Sequence, residues 1–180
     1  IALRSIEPDD LPQLLEWRNT ASLRANFREY RELSMAQQRE WYDNLQGDKG
    51  LVMFAIVQAE SLTAETRPLL GACGLTNINW KNKSAEVSIY IGDVGNHNKG
   101  YGGEALNLLM EYGFSELGLH RLFAEAYEFN TPSLKLFESA GFQQEGMFRE
   151  GLWRNGRWSS SMLFSILEGE WKVINDFHSG

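Results

Sequence analysis

A glycine-rich loop, two carboxylates inside apolar stretches and an Asn ahead of a helix are the residues here whose type and setting suit chemistry. The loop, His97-Asn98-Lys99-Gly100-Tyr101-Gly102-Gly103, follows an apolar stretch at 84–91 and runs into a helical pattern. Glycines keep no Cβ between a ligand and the main chain. A helix starting behind them offers unpaired N–H groups and a partial positive charge. A phosphate or pyrophosphate fits there without a basic side chain. Gly100-Tyr101-Gly102-Gly103-Glu104-Ala105 also satisfies G-x-G-x-x-G/A, the dinucleotide fingerprint. A third use is a turn that merely lets a helix pack closely on a strand.

Glu125 lies in Leu122-Phe123-Ala124-Glu125-Ala126-Tyr127, where burial would raise its pKa towards that of a useful general base. Glu86 opens the stretch before the loop and shares a face with Ser88 and Tyr90 by period two. For each carboxylate the competing use is a charge at a strand edge, solvated or paired with an Arg. Cys73 sits in an apolar strand with no His in an obvious arrangement, and reads as core. His120 and His178 have no ligand partners at useful spacing, so no metal is expected.

The elements that must position these groups follow from periodicity. Residues 2–6 read as a first strand. Pro8-Asp9-Asp10 precedes Leu11, Leu14, Leu15 and Arg18 at helical spacing. Ser34-Met35-Ala36-Gln37 is a capping-box signature for a second helix carrying Trp41 and Leu45 on one face. Strands are expected at 51–57, 69–78 and 84–91, with a long hairpin loop at 59–68. Behind the glycines, Ala105, Leu106, Leu109, Met110, Gly113, Phe114 and Leu117 recur at helical period, with Glu104, Asn107 and Glu111 outward. A strand at 121–127 precedes a helix at 131–140, with Thr131 as N-cap, Pro132 at N1 and Gly141 as C′ residue. Residues 142–150 and 157–167 form a closing hairpin around Asn155-Gly156. The order βααβββαβαββ favours an α+β fold over a doubly wound parallel sheet. It leaves the dinucleotide oxidoreductase as a remote alternative.

Length and composition narrow the class. A chain of 180 residues is expected to form a single domain, 1–180, with 173–180 a loose tail. With 43% apolar residues it is globular rather than disordered. A formal charge of −7 argues against nucleic acid as partner and suits cationic small molecules. One cysteine excludes an internal disulfide framework and suggests a reducing compartment. Without a long apolar run or a signal-peptide pattern, a soluble cytoplasmic protein with no membrane partner is expected. An initiator Met and a few residues are expected ahead of Ile1.

Two motifs together carry a family resemblance. His97-Asn98-Lys99-Gly100-Tyr101-Gly102, backed by Glu104-Ala105-Leu106, is the first. The second is Asn130-Thr131-Pro132-Ser133-Leu134-Lys135-Leu136-Phe137-Glu138-Ser139-Ala140-Gly141-Phe142. The chain resembles the GNAT superfamily of acyl-CoA-dependent N-acetyltransferases over nearly its whole length. Trp17-Arg18-Asn19 and Glu170-Trp171 resemble the branch that acetylates ribosomal-protein N-termini and amino sugars. The resemblance implies a mixed, mostly antiparallel sheet of about seven strands, splayed in the middle and flanked by about four helices. It implies acetyl-CoA as cosubstrate, with the pyrophosphate on the amides from His97, Asn98 and Lys99 to Gly100, Tyr101, Gly102 and Gly103. The pantetheine arm would pair with the strand edge at Tyr90, Ile91 and Gly92, as in strand addition. Asn130 would bond the arm, with Ser133, Leu136 and Phe137 beside it.

Direct transfer to a primary amine needs a base, for which Glu125 and Glu86 are the candidates. Many GNAT enzymes place a Tyr where this chain has Phe137, so the thiolate leaves unaided or Tyr127 or Tyr101 protonates it. His97 stands in a slot usually held by Gln or Arg, and Ser160 where relatives often have Asp. The resemblance assigns the acceptor to Trp17, Arg18, Asn19, Phe27, Arg28, Glu29 and Tyr30, and to Trp153, Arg154 and Trp158. Clustered Trp and Arg suit an amino sugar, another small amine or a protein N-terminus. They equally suit a homodimer interface. A catalytically silent acyl-CoA-binding sensor remains the alternative.

Overall fold

The computed structural model describes residues 1–59 and 68–178. The hairpin loop expected at 59–68 lies, but for its end residues, outside them. In chain order the elements are β1 (Ala2–Ser5), α1 (Leu11–Asn19), α2 (Ala21–Arg24), α3 (Met35–Leu45), β2 (Val52–Val57), β3 (Leu69–Asn79) and β4 (Ser84–Ile91). There follow α4 (Tyr101–Glu111), β5 (Arg121–Tyr127), α5 (Thr131–Ser139), β6 (Gln143–Arg154), β7 (Arg157–Leu167) and α6 (Glu168–His178). The seven strands form one sheet in the order β1-β2-β3-β4-β5-β7-β6. β4 and β5 run parallel, over Ser84–Glu86 and Arg121–Phe123. The pairs β1–β2, β2–β3, β5–β7 and β6–β7 are antiparallel. A doubly wound parallel sheet is thereby excluded, and with it the Rossmann setting of the glycine fingerprint.

The chain divides into two compact units, Ile1–Thr76 with Ser88–Leu109, and Asn77–Val87 with Met110–Gly180. In the first, Ile6, Leu11, Leu14, Trp17, Ala55 and Ala72 make a continuous core, with Met35, Trp41 and Leu45 of α3 against it. The Ser34 capping box forms as expected, Gln37 N–H on Ser34 Oγ and Ser34 N–H on Gln37 Oε1. Ahead of α1, the Arg4 fork grips the buried Asp10 carboxylate at 2.6 and 2.8 Å. Trp17 lies directly on the main chain of Gly92. A Cβ built at Gly92 would sit 1.9 Å from the indole Cδ2.

In the second unit Leu122, Phe137, Phe142, Phe164 and Ile166 are buried. Phe137 stacks between Phe142 and Phe164, at 5.2 and 5.9 Å. The helix α5 is capped by Asn130, whose Oδ1 accepts from the Ser133 N–H at 3.3 Å. The cap is therefore one residue earlier than Thr131, because the Asn carboxamide reaches the third helical amide. Two helices were not expected. Ala21–Arg24 is a single turn, too short for a period to show. Glu168–His178 follows β7 with no turn residue between, so the pattern changes from two to 3.6 without a break. Glu170 Oε2 accepts the Leu167 N–H, and Trp171 packs on Phe114 at 5.2 Å. The tail expected from 173 is thus helical as far as His178.

Arg121 holds Glu145 through both guanidinium arms, and Ser165 Oγ donates to the same carboxylate. The Arg121 bonds first, then Ser165, pull the Glu145 carboxyl down to about 2. A depressed folded-state pKa stabilises the fold above the ordinary carboxylate value and loses that contribution as pH falls towards about 2.

Two outcomes follow. Gly92→Ala should lose about 2–3 kcal/mol by overpacking on the indole, read from urea midpoints. Glu145→Gln should cost only about 0.5–1 kcal/mol at neutral pH, since the pair is solvent-screened. That deficit should vanish as wild type and variant are compared at progressively lower pH, from about 4 downwards.

Candidate active site

The glycine loop belongs to the first unit and is built by local hydrogen bonds. After β4, Asp93 Oδ1 accepts the Gly95 N–H at 2.8 Å and starts a 3-10 turn, Val94–Asn96. His97 Nε2 lies 3.0 Å from the Ile91 carbonyl oxygen. A carbonyl only accepts, so Nε2 carries the proton and His97 is a strut closing the loop. Asn98 at φ 59° and Gly100 at φ 86° then reverse the chain into α4. Lys99 Nζ bonds Asn96 Oδ1 at 3.2 Å.

The Glu104 N–H to Gly100 carbonyl bond, 3.1 Å, opens the ladder of α4. The amides of Tyr101, Gly102 and Gly103 therefore precede the intrahelical ladder. A Cβ at Gly100 or Gly103 would meet nothing within 4 Å. The side-chain direction at both glycines is thus open, and helix-start amides beside them suit a pyrophosphate, as the loop's composition implies.

The strand edge is partly committed. The Gly92 N–H donates to the Leu70 carbonyl at 2.8 Å, and Trp17 covers the glycine itself. Gly92 is therefore a packing residue, and the Ile91 carbonyl already meets His97 Nε2. Burial pushes the Tyr90 phenol up, against a smaller opposite pull from Arg18.

The acceptor candidates of the first unit separate by role. Trp17 is buried at 9% exposure and is core, not a platform for a ligand. Asn19 is a clasp: its Nδ2 donates to the Leu33 carbonyl and its Oδ1 accepts the Leu33 N–H, both at 2.8 Å. Both of its polar functions fix the segment between α1 and α3. Arg18 is half-buried and lies over the Phe27 ring, 5.4 Å from its centroid. Phe27 meets Tyr90 edge-on at 5.2 Å. Arg28 and Tyr30 are exposed, and Glu29 is paired with Arg31.

In the second unit, Glu125 is half-buried on β5 and accepts from Ser161 Oγ at 2.5 Å. It lines an open cleft of about 920 Å³ with Phe148, Arg149, Glu150, Ser160 and Ser161. The cleft exists because β6 bulges. Phe148 pairs with Ser161 and Leu152 with Ser159, so three residues of β6 oppose one of β7. Glu150 adopts φ 50°, and its N–H donates to Ser160 Oγ at 3.1 Å. Ser160 N–H in turn donates to Glu128 at 2.9 Å. Glu86 is 6% exposed and accepts from Asn77 Nδ2 at 2.9 Å, so it is a buried, hydrogen-bonded carboxylate. Tyr127 is buried beside Phe129, at 5.5 Å. Ser133 and Leu136 are half-buried on α5. Trp153 and Trp158 are exposed and pair across the tip of the β6–β7 hairpin at 5.2 Å.

Ser161 and Glu150 escaped the sequence reading. A glycine inside a strand marks a bulge, so Gly151 was the signal that residues nearby are aimed at a site. Cys73 is inert, since burial pushes its thiol up to about 12. Among the described residues no cluster of His, Cys, Asp and Glu could hold a metal ion. No helix among them is long and apolar enough to cross a membrane.

A domain profile described as acetyltransferase (GNAT) matches residues 1–143. The chain belongs to the GNAT acetyltransferase family. It is 34% identical over 111 residues to an uncharacterized N-acetyltransferase, p20, of Bacillus licheniformis, 61% of each chain. It is 26% identical over 142 residues to the alpha/beta-tubulin-N-acetyltransferase 9 of Mus musculus, 76% of this chain and 58% of that one. The matched stretches thus span less than two thirds of either relative. In fold this GNAT chain is similar to a spermidine N-acetyltransferase from Vibrio cholerae solved with CoA and spermine. The TM-score is 0.86 at 26% identity, over 95% of this chain and 97% of that one.

Against the GNAT pattern, the departures have structural uses. Phe137, in the slot where many members carry Tyr, is 4% exposed and holds α5 to its own core. It offers no proton and no surface to a cofactor. His97 closes the loop, and Ser160 pins the bulge.

Proposed function

We propose that the chain moves the acetyl group of acetyl-CoA directly to a primary amine of a small molecule. The observation that carries this is the glycine loop, whose helix-start amides beside open glycines suit the pyrophosphate in a chain of this family. The loop strut at His97 and the reversal at Gly100 hold those amides in place before any ligand arrives. The arm of the cosubstrate would pair with the backbone of Tyr90 and Ile91, since the β4–β5 ladder ends at Glu86. Asn130, Ser133 and Leu136 are assigned to the arm on the family pattern. The Asn130 cap uses its Oδ1, so its Nδ2 is the atom proposed to donate to the arm.

Glu125 is proposed as the base. It lines a cleft, whereas Glu86 is buried under Asn77. Ser161 donates to one of its carboxylate oxygens and fixes the side chain. The acceptor enters as an ammonium and loses a proton to Glu125, directly or through water. The amine nitrogen then attacks the thioester carbonyl, the N–C bond forms, the nitrogen gives its second proton to solvent and the C–S bond breaks. With a thiol pKa near ~8.5 the sulfur can leave as thiolate and take a proton from solvent. Tyr127 is buried, whereas Tyr101 is half-buried at the start of α4, so Tyr101 is the better candidate for an acid. A small amine is favoured over a protein N-terminus by the spermidine enzyme of like fold.

The test is CoA release, followed by its thiol, with a panel of small amines and N-terminal peptides. Release with at least one small amine is expected. Thermal stabilisation by acetyl-CoA without release on any amine would favour a silent acyl-CoA sensor. Glu125→Gln should lower kcat by about 100-fold or more with the KM for acetyl-CoA little changed. Gly103→Asp should fold normally, because an acid suits the first turn of a helix. It should raise the KM for acetyl-CoA by about 10-fold or more through repulsion of the pyrophosphate.

A further inference from the structure

Three arginines of the first unit hold carboxylates, and among the described residues Arg18 holds none. Arg4 holds Asp10, Arg24 reaches Glu32 and Arg31 holds Glu29. Among the described residues Arg18 makes no ion pair, and its Nε is buried with no hydrogen-bond partner. Arg18 acts only weakly on Glu29, whose two oxygens are occupied by the Arg31 amide and guanidinium at 2.7–2.9 Å. A buried donor without an acceptor is costly and rare in a folded chain, and a missing ligand is one of its ordinary causes.

The residue is also held in place. Trp17 before it is locked on Gly92, and Asn19 after it clasps Leu33. Phe27 supports the guanidinium from one face, and Tyr90 supports Phe27. A fixed, planar fork with unspent donors matches a carboxylate or phosphate in two parallel bonds. A polycationic amine would gain nothing from it and would be repelled.

We propose that Arg18, backed by Phe27 and Tyr90, is an anion-recognition site, and that the amine acceptor carries a carboxylate or a phosphate. The second half rests on the acetyl-transfer reading above. The acceptor class is then an amino acid, a short peptide acid or a phosphorylated amine, and not a simple polyamine.

Matched amines separate these cases: β-alanine against n-propylamine, and O-phosphoethanolamine against ethanolamine. In the wild type one anionic member should exceed its uncharged partner in kcat/KM by about 10- to 100-fold, the worth of a charge-assisted pair. Whichever pair shows it identifies carboxylate or phosphate. In Arg18→Gln that advantage should fall to about 3-fold or less, and Arg18→Lys, which keeps charge but not the fork, should lie between. An advantage retained in Arg18→Gln, or a preference for the uncharged members or spermidine, would overturn the proposal. So would loss of acetyl-CoA affinity in the variant with the amine preference intact. Binding is read separately by the NMR signal of the Arg18 Nε–H on titration with acetate and with inorganic phosphate. A saturable shift supports the site even where no amine is turned over, a result that would contradict the acetyl-transfer reading alone. An unmoved signal with both anions would overturn the site itself.

Discussion

The indole of Trp17 rests on the backbone of Gly92 at a distance that no residue with a side chain could tolerate. That contact sets much of the first unit. It fixes α1 against the end of β4, the point where the chain leaves the sheet for the glycine loop. From there the Gly92 N–H is tied to Leu70, the Ile91 carbonyl to His97, and the turn to Asp93. The loop is therefore held by bonds on its sheet side and left bare on its other side. A preorganised anion site requires that combination, because amides that must first be ordered would spend binding energy on the ordering.

The same contact explains why residues that look like ligand platforms are not all alike. Trp17 and Asn19 flank Arg18 and are both consumed by structure, one by packing and one by its two hydrogen bonds to Leu33. Between them Arg18 keeps its donors. In the second unit the division is similar. Asn130 caps a helix, Phe137 fills a core and Ser160 pins a bulge, while Glu125 and Ser161 face a cleft.

Much of the fold was legible in the sequence because its signals are local. The Ser34 capping box, the helical stripe from Ala105 to Phe114 and the Asn155-Gly156 turn each act within a few residues, and each is where expected. What the sequence concealed depends on partners far along the chain. Trp17 could not be told from a stacking platform until Gly92 was beside it, seventy-odd positions later by ordinary counting of the chain. Glu125 reads as an isolated charge until Ser161 arrives from β7. Helix Glu168–His178 was hidden for a different reason, since nothing separates its period from that of the strand before it. The loop itself was plain, because glycine at φ 86° and a helix start leave their mark in adjacent residues.

The central claim is that backbone amides at the start of α4 hold the pyrophosphate of the cosubstrate. The most direct measurement is the amide NMR spectrum of the chain titrated with CoA, with NAD, another adenine nucleotide carrying a pyrophosphate, as a control. Saturable shifts and slowed exchange centred on Tyr101, Gly102 and Gly103 are expected with CoA, and little change with NAD. CoA binding that leaves these three amides unmoved would contradict the account.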